Sequence, residues 1–250
     1  MSRIFDALEN AQKEGTARDL PVKPPSLPSI SLPADSQHIK LEINIEQEML
    51  ALYQTITAAL PNVAHPSVLF VGSRSNEGTS TITRELAKAV SLRMEKTVLL
   101  IDFDRSRPEH HVYGNIKPEV YDEEVVKAGD LIEETLCQVD ESSLYVMPLF
   151  QRTMVTPRTL ESAKGGGFWD ALKERFDLIL VDSPPAMMFP DGPSLVSHVD
   201  GVVLVVEAEK TRWQVALSAK ERIIKSGGTI LGIVFNKRKY YIPSYIYKYL

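Results

Sequence analysis

The chain has 250 residues, one cysteine (Cys137) and a formal net charge of −5. With 44% hydrophobic residues it can build one substantial core plus a tail. The acidic balance argues against non-specific nucleic-acid binding. A single cysteine excludes an internal disulfide framework and fits a reducing cytosol. No apolar h-region follows the first methionine, so a signal peptide is not expected. The longest apolar runs, such as 202–206, are strand-length and too short to cross a bilayer.

Residues 2–14 place Ile4, Phe5, Leu8 and Ala11 on one helical face. Such a helix either docks on the protein's own core or serves as a docking peptide for a partner. Pro21, Pro24, Pro25, Pro28 and Pro33 follow in a stiff, extended linker, which favours the second reading. The helical period returns over 46–60, with Met49, Leu52, Tyr53, Ile56 and Leu60. Short apolar runs then appear at 68–71, 98–101, 144–147, 178–181, 202–206 and 231–235. Amphipathic stretches lie between most of them, for example at 80–94, 168–175 and 212–226. This alternation predicts an α/β fold, a parallel sheet with helices on both faces. The organisation is therefore an N-terminal amphipathic helix (1–14), a Pro-rich linker (15–40), an α/β domain (41–239) and a tyrosine-rich tail (240–250).

The run Val68-Leu-Phe-Val71 leads into Gly72-Ser-Arg-Ser-Asn-Glu-Gly-Thr-Ser-Thr81 and then a helix. Strand, small-polar loop and helix is the setting of a phosphate loop. There, backbone N–H groups and the positive end of the helix face the phosphates, a lysine reaches the β- and γ-oxygens, and a Ser/Thr hydroxyl holds Mg²⁺. Against G-x-x-x-x-G-K-[ST], Gly78 and Ser80 match, Ser73 replaces the first glycine and Thr79 replaces the lysine. Taken alone, the segment is equally an ordinary βα loop with a Ser/Thr-rich helix start. The strand after it ends in Asp102-Phe-Asp104-Arg-Ser-Arg107-Pro108, and a third strand ends in Asp182-Ser-Pro-Pro185. Ligands of open α/β sheets sit at the carboxyl ends of strands. Aspartates at two such ends, beside a phosphate-type loop, point to Mg²⁺ and nucleotide ligation.

These residues resemble the bacterial tyrosine kinases (BY-kinases) of exopolysaccharide and capsule export, a branch of the deviant-Walker P-loop NTPases that includes MinD and ParA. The Asp102–Pro108 run is similar to the family's Walker A′ (D-x-D-x-R-x-P), and Asp182-Ser-Pro-Pro185 to its Walker B. The 198–206 strand with Lys210-Thr211, and Leu231-Gly-Ile-Val-Phe-Asn236, resemble the two strands that follow. The opening Met1-Ser-Arg-Ile-Phe-Asp-Ala-Leu8 is similar to that of exosortase-associated tyrosine autokinases.

The resemblance implies ATP/ADP and Mg²⁺ as cofactors. It implies a nucleotide cradle of Arg74, Asn76, Glu77, Gly78, Thr79, Ser80 and Thr81, with Asn236 at the adenine. Ser80, Asp102 and Asp182 would hold the metal, and Asp102, Asp104 and Asp182 would form the catalytic group, Asp104 acting on the tyrosine hydroxyl. Tyr240, Tyr241, Tyr245, Tyr247 and Tyr249 would be the phospho-acceptors. It further implies a cytoplasmic protein recruited to the inner face of the plasma membrane by a membrane polysaccharide co-polymerase, with possible self-association.

Two departures bear on activity. A charge-assisted lysine–phosphate contact is worth roughly 1.5–3 kcal/mol, so Thr79 predicts weakened binding or catalysis. Arg74 is the cation in the same loop that would substitute for it, from a different point of the cradle. Asn76 stands at a position the family gives to a small residue, and asparagine tolerates positive φ. The family's ring-forming E-x-x-R-x-x-R helix pattern falls on Ala51, Gln54 and Thr57, which carry no charge. Expected activity is therefore a reduced or absent tyrosine autokinase. A nucleotide-binding or scaffold pseudokinase is the alternative, and a MinD/ParA-type positioning ATPase fits less well. His110 and His111 read as loop residues.

Overall fold

The computed structural model describes residues 29–30, 43–104, 132–133, 135–149, 167–187 and 192–238. The N-terminal helix, most of the Pro-rich linker, Arg107–Pro108 with His110 and His111, and the tail tyrosines lie outside the described residues.

The described elements are β1 (Ser29–Ile30), α1 (Ile43–Ala59), β2 (Ser67–Gly72), α2 (Thr79–Arg93), β3 (Val98–Asp102), β4 (Cys137–Val139) and β5 (Leu144–Pro148). They continue with α3 (Phe168–Arg175), β6 (Leu178–Asp182), α4 (Gly192–His198), β7 (Gly201–Glu207), α5 (Trp213–Lys225) and β8 (Ile230–Asn236). The eight strands form one sheet in the order β1-β4-β5-β3-β6-β2-β7-β8. All neighbours run parallel except β4 and β5. The predicted α/β architecture holds, with every predicted apolar run in a strand. Two strands escaped the sequence reading. β1 is a two-residue strand within the stretch read as linker, and β4 is only three residues long.

The central strands β2, β3 and β6 are buried along their whole length. Their uninterrupted Val/Leu/Ile runs reflect this, because a parallel sheet covered on both faces has no polar side. One face packs Met49 and Ile56 of α1 and Ile82, Leu86 and Val90 of α2 against Val68, Phe70, Leu100 and Leu180. The other packs Phe168 and Leu172 of α3, Leu195 of α4 and Ala219 and Ile223 of α5 against Leu69, Ile101, Ile179 and Leu204.

Two aspartates pin the strand entries. Asp200, just before β7, accepts from the N–H (2.8 Å) and hydroxyl (2.7 Å) of Ser67 at the start of β2. Asp177, just before β6, accepts from the N–H (2.8 Å) and hydroxyl (2.7 Å) of Thr97 before β3. These contacts fix where β2 and β3 begin beside β7 and β6, and the register that sets Phe70 and Asp102 opposite Asp182 brings the carboxyl ends of β2, β3 and β6 level with one another.

Candidate nucleotide site

The sharp turn between β2 and α2 needs two residues in left-handed backbone: Asn76 (φ 70°) and Gly78 (φ 88°). Asparagine accepts that conformation more readily than most residues, so the turn survives at position 76. At Gly78 the constraint is stronger, since an added Cβ would fall 2.1 Å from Asn236 Nδ2. Gly78 directly precedes α2, so the N–H groups of 79–81 open the helix and its positive end faces the cleft.

The loop is braced from the side of β7 and β8. The Glu77 carboxylate is buried inside it. It accepts from the Ser73 hydroxyl (2.8 Å), the Arg74 N–H (2.8 Å), the Glu207 N–H (3.4 Å) and the Thr211 hydroxyl. Asn236 donates through Nδ2 to the Glu77 carbonyl (2.8 Å), while its Oδ1 accepts from the Lys237 N–H (2.8 Å). Lys237 Nζ donates to the Asn76 carbonyl and pairs with Glu207 at 3.5 Å. Glu77 thus turns its side chain into the protein and offers only its backbone to the cradle. Asn236, expected at an adenine, here holds the loop in shape. Ser73, Thr211 and Lys237 were not among the expected site residues. Their roles depend on contacts across 134 to 161 positions of sequence for the last two, which local pattern does not reveal.

Arg74, Ser75, Asn76, Glu77, Gly78, Thr79 and Ser80 line one side of a cleft whose other side is Asp104, Ser183 and Pro185. The strand ends supply the acids. Asp102 and Asp182 are register partners on β3 and β6, and both are buried. Asp102 accepts from the Asp104 N–H at 2.9 Å, and the Asp182 carbonyl accepts from the Phe103 N–H at 2.9 Å. Burial drives the Asp102 carboxyl well above the usual carboxylate range, and the neighbouring Asp182 charge adds to this. The Asp104 N–H and the charge of Arg84, one turn along α2 from Ser80, oppose it. Asp104, Ser80 and Thr79 therefore share one cleft, while Asp102 and Asp182 stand buried side by side at the carboxyl ends of β3 and β6. Thr81 is exposed on the first turn of α2.

Two hard-oxygen carboxylates and a hydroxyl suit Mg²⁺. Among the described residues no group of three or more His, Cys, Asp or Glu side chains forms a metal cage. This donor set fits an ion shared with phosphate oxygens and water rather than one held by protein alone.

On α1, Ala51 and Gln54 are exposed and Thr57 is half-buried. The Thr57 hydroxyl donates to the carbonyls of Tyr53 (3.1 Å) and Gln54 (3.0 Å) of its own helix.

A βα phosphate-type loop facing acidic strand ends across a parallel sheet defines a P-loop NTPase-type α/β protein. No family model matches the chain. It is 30% identical over 177 residues to the tyrosine-protein kinase CpsD of Streptococcus agalactiae, covering 69% of this chain and 75% of that protein. Among solved structures, the chimerical protein CapA2B2 matches with a TM-score of 0.64 at 22% identity, over 86% of this chain and 94% of that one. The septum site-determining protein MinD of Pyrococcus horikoshii, complexed with Mg-ADP, matches with a TM-score of 0.54 at 20% identity, over 73% and 75%. The chain belongs to the bacterial tyrosine-protein kinase family. No helix among the described residues is long and apolar enough to cross a membrane.

Proposed function

We propose that the protein acts in exopolysaccharide or capsule biosynthesis as a BY-kinase-type nucleotide-binding protein whose tyrosine autokinase activity is reduced or lost. One observation carries the reading. Asp104 lines the loop–helix cleft together with Thr79 and Ser80, and Asp102 and Asp182 end the adjacent strands β3 and β6, which supports a nucleotide site, yet Thr79 stands where the phosphate-contacting lysine belongs.

In this reading the N–H groups of 78–81 bind the phosphates of ATP or ADP, and Arg74, at the cleft wall, supplies the loop's positive charge. Ser80, Asp102 and Asp182 hold Mg²⁺, which neutralises phosphate charge when bound. Asp104 orients an incoming tyrosine hydroxyl and accepts its proton. The acceptors are Tyr240, Tyr241, Tyr245, Tyr247 and Tyr249. Asn236 keeps Glu77 in place and presents the end of β8 to the base. A membrane co-polymerase of the chain-length determinant type recruits the protein from the cytoplasm to the membrane.

A second reading, a pseudokinase scaffold, is favoured by the face of α1. Ala51, Gln54 and Thr57 offer no charge for a ring of subunits, and the Thr57 hydroxyl is bonded to its own helix. Purified protein incubated with Mg-ATP separates the two. Labelling of the 240–249 tyrosines that disappears in Asp104→Ala supports a residual kinase. Binding of Mg-ADP in calorimetry without labelling supports the pseudokinase. No binding by either wild type or Thr79→Lys refutes the nucleotide-site assignment altogether.

A further inference from the structure

Of the eight large apolar side chains exposed among the described residues, five lie on α5 and β8: Trp213, Leu217, Ile224, Ile233 and Phe235. Trp213 is 69% and Phe235 67% exposed. At 3.6 residues per turn, 213, 217 and 224 fall within about 40° of one another on the helix. Ile233 and Phe235 are the register partners of Leu204 and Val206, whose side chains pack in the core on the α5 side of the sheet. Register partners in parallel strands project to the same face. The five side chains therefore form one apolar surface, made by α5 and the terminal strand of the sheet. β8 ends the strand order, and among the described residues its outer edge pairs with no strand. A contiguous apolar surface beside an open strand edge is a docking surface.

We infer that its occupant is the chain's own tail. Residues 239–250 follow Arg238, and eight of the eleven residues 240–250 are Tyr, Ile or Leu. Tyr245, Tyr247 and Tyr249 alternate at period two, the spacing of one face of a strand. In an antiparallel return along β8, Tyr245 opposite Phe235 places Tyr247 opposite Ile233, so the same register satisfies both aromatic–aliphatic pairs. Residues 236–244 suffice for the turn. Pro243 falls within it, where the loss of an N–H donor does no harm. Closing so short a loop costs little, and the tether gives the tail an effective concentration of about the millimolar range, which an untethered competitor must exceed. β8 lies four strands from β3. At about 4.8 Å per strand, tyrosines docked beyond it stand roughly 20–24 Å from the strand that carries the acids. If the kinase reading holds, docking withdraws a chain's tyrosines from its own cleft. The docking itself does not depend on that reading.

Acrylamide quenching of Trp213 tests the inference without reference to nucleotide. The chain has two tryptophans and Trp169 is buried, so a Trp213→Phe variant supplies the background. In the full chain Trp213 should be shielded. Tyr245→Ser/Tyr247→Ser, and separately Phe235→Asp, should raise its quenching constant by about twofold, as for an indole released from an aromatic contact. Unchanged quenching in both variants overturns the proposal. Shielding that grows with protein concentration overturns it in favour of a second copy. Shielding lost on deletion of residues 1–14 overturns it in favour of the N-terminal helix.

Discussion

Gly78→Ala offers the most direct test of how the loop is held. The new Cβ must adopt φ near +88°, which costs about 1–2 kcal/mol for an L-residue. It would also lie 2.1 Å from Asn236 Nδ2, so the amide must swing away. That movement breaks the Asn236–Glu77 and Lys237–Asn236 hydrogen bonds, at about 0.5–1 kcal/mol each. The expected total is about 2–4 kcal/mol, read in urea as a lower midpoint with an unchanged m-value. In an Asn236→Ala background there is no amide to displace, and the same substitution should cost only the backbone strain of about 1–2 kcal/mol. The cycle should therefore show a coupling of about 1–2 kcal/mol between neighbouring sites. If Gly78→Ala costs the same in both backgrounds, within about 0.5 kcal/mol, the Asn236 contact does not shape the loop and the reasoning fails.

Thr79→Lys restores a charge-assisted phosphate contact and should tighten Mg-ADP binding by about ten- to a hundredfold in calorimetry, with no gain for adenosine. Glu77→Gln leaves donors from Ser73, Arg74, Glu207 and Thr211 facing an amide. It should cost about 2 kcal/mol or more in urea unfolding and speed hydrogen exchange at the Arg74 amide. Asp102 takes up a proton more readily folded than unfolded, because burial and the Asp182 charge raise its pKa above the usual value. Below the unfolded pKa this makes no difference to stability. As pH rises through the window between the unfolded and the raised folded value, stability is progressively lost. Asp102→Asn should therefore flatten that part of the stability–pH curve and raise the melting temperature at neutral pH, and an unchanged slope in differential scanning fluorimetry would count against the like-charge pair.

Much of this site was legible because its signals are local. The strands read as strands since each had to be apolar on both faces. The turn read as a turn since glycine and asparagine tolerate positive φ. Asp102, Asp104 and Asp182 stood out because they follow buried runs at the sheet's carboxyl ends. The aspartates are also what argues for a phosphate loop, since the loop's own match to that pattern is poor.

What the sequence by itself determined, then, is the α/β class, the family and the identity of the acids at the mouth of the sheet. Only the tertiary structure decided which strands lie side by side, and so that Asp102 faces Asp182 across adjacent strands. It also decided that Glu77 turns inward to bind Thr211, and that Asn236 fills the space that a side chain at position 78 would need. The same holds for the apolar surface of α5 and β8, since 231–235 reads in the sequence only as an apolar strand-length run. Ile233 and Phe235 are exposed because β8 lies at the edge of the sheet, and strand order is set by packing among distant segments. Local composition encodes which residues need burial or a special backbone, whereas their partners are fixed only when the whole sheet is assembled.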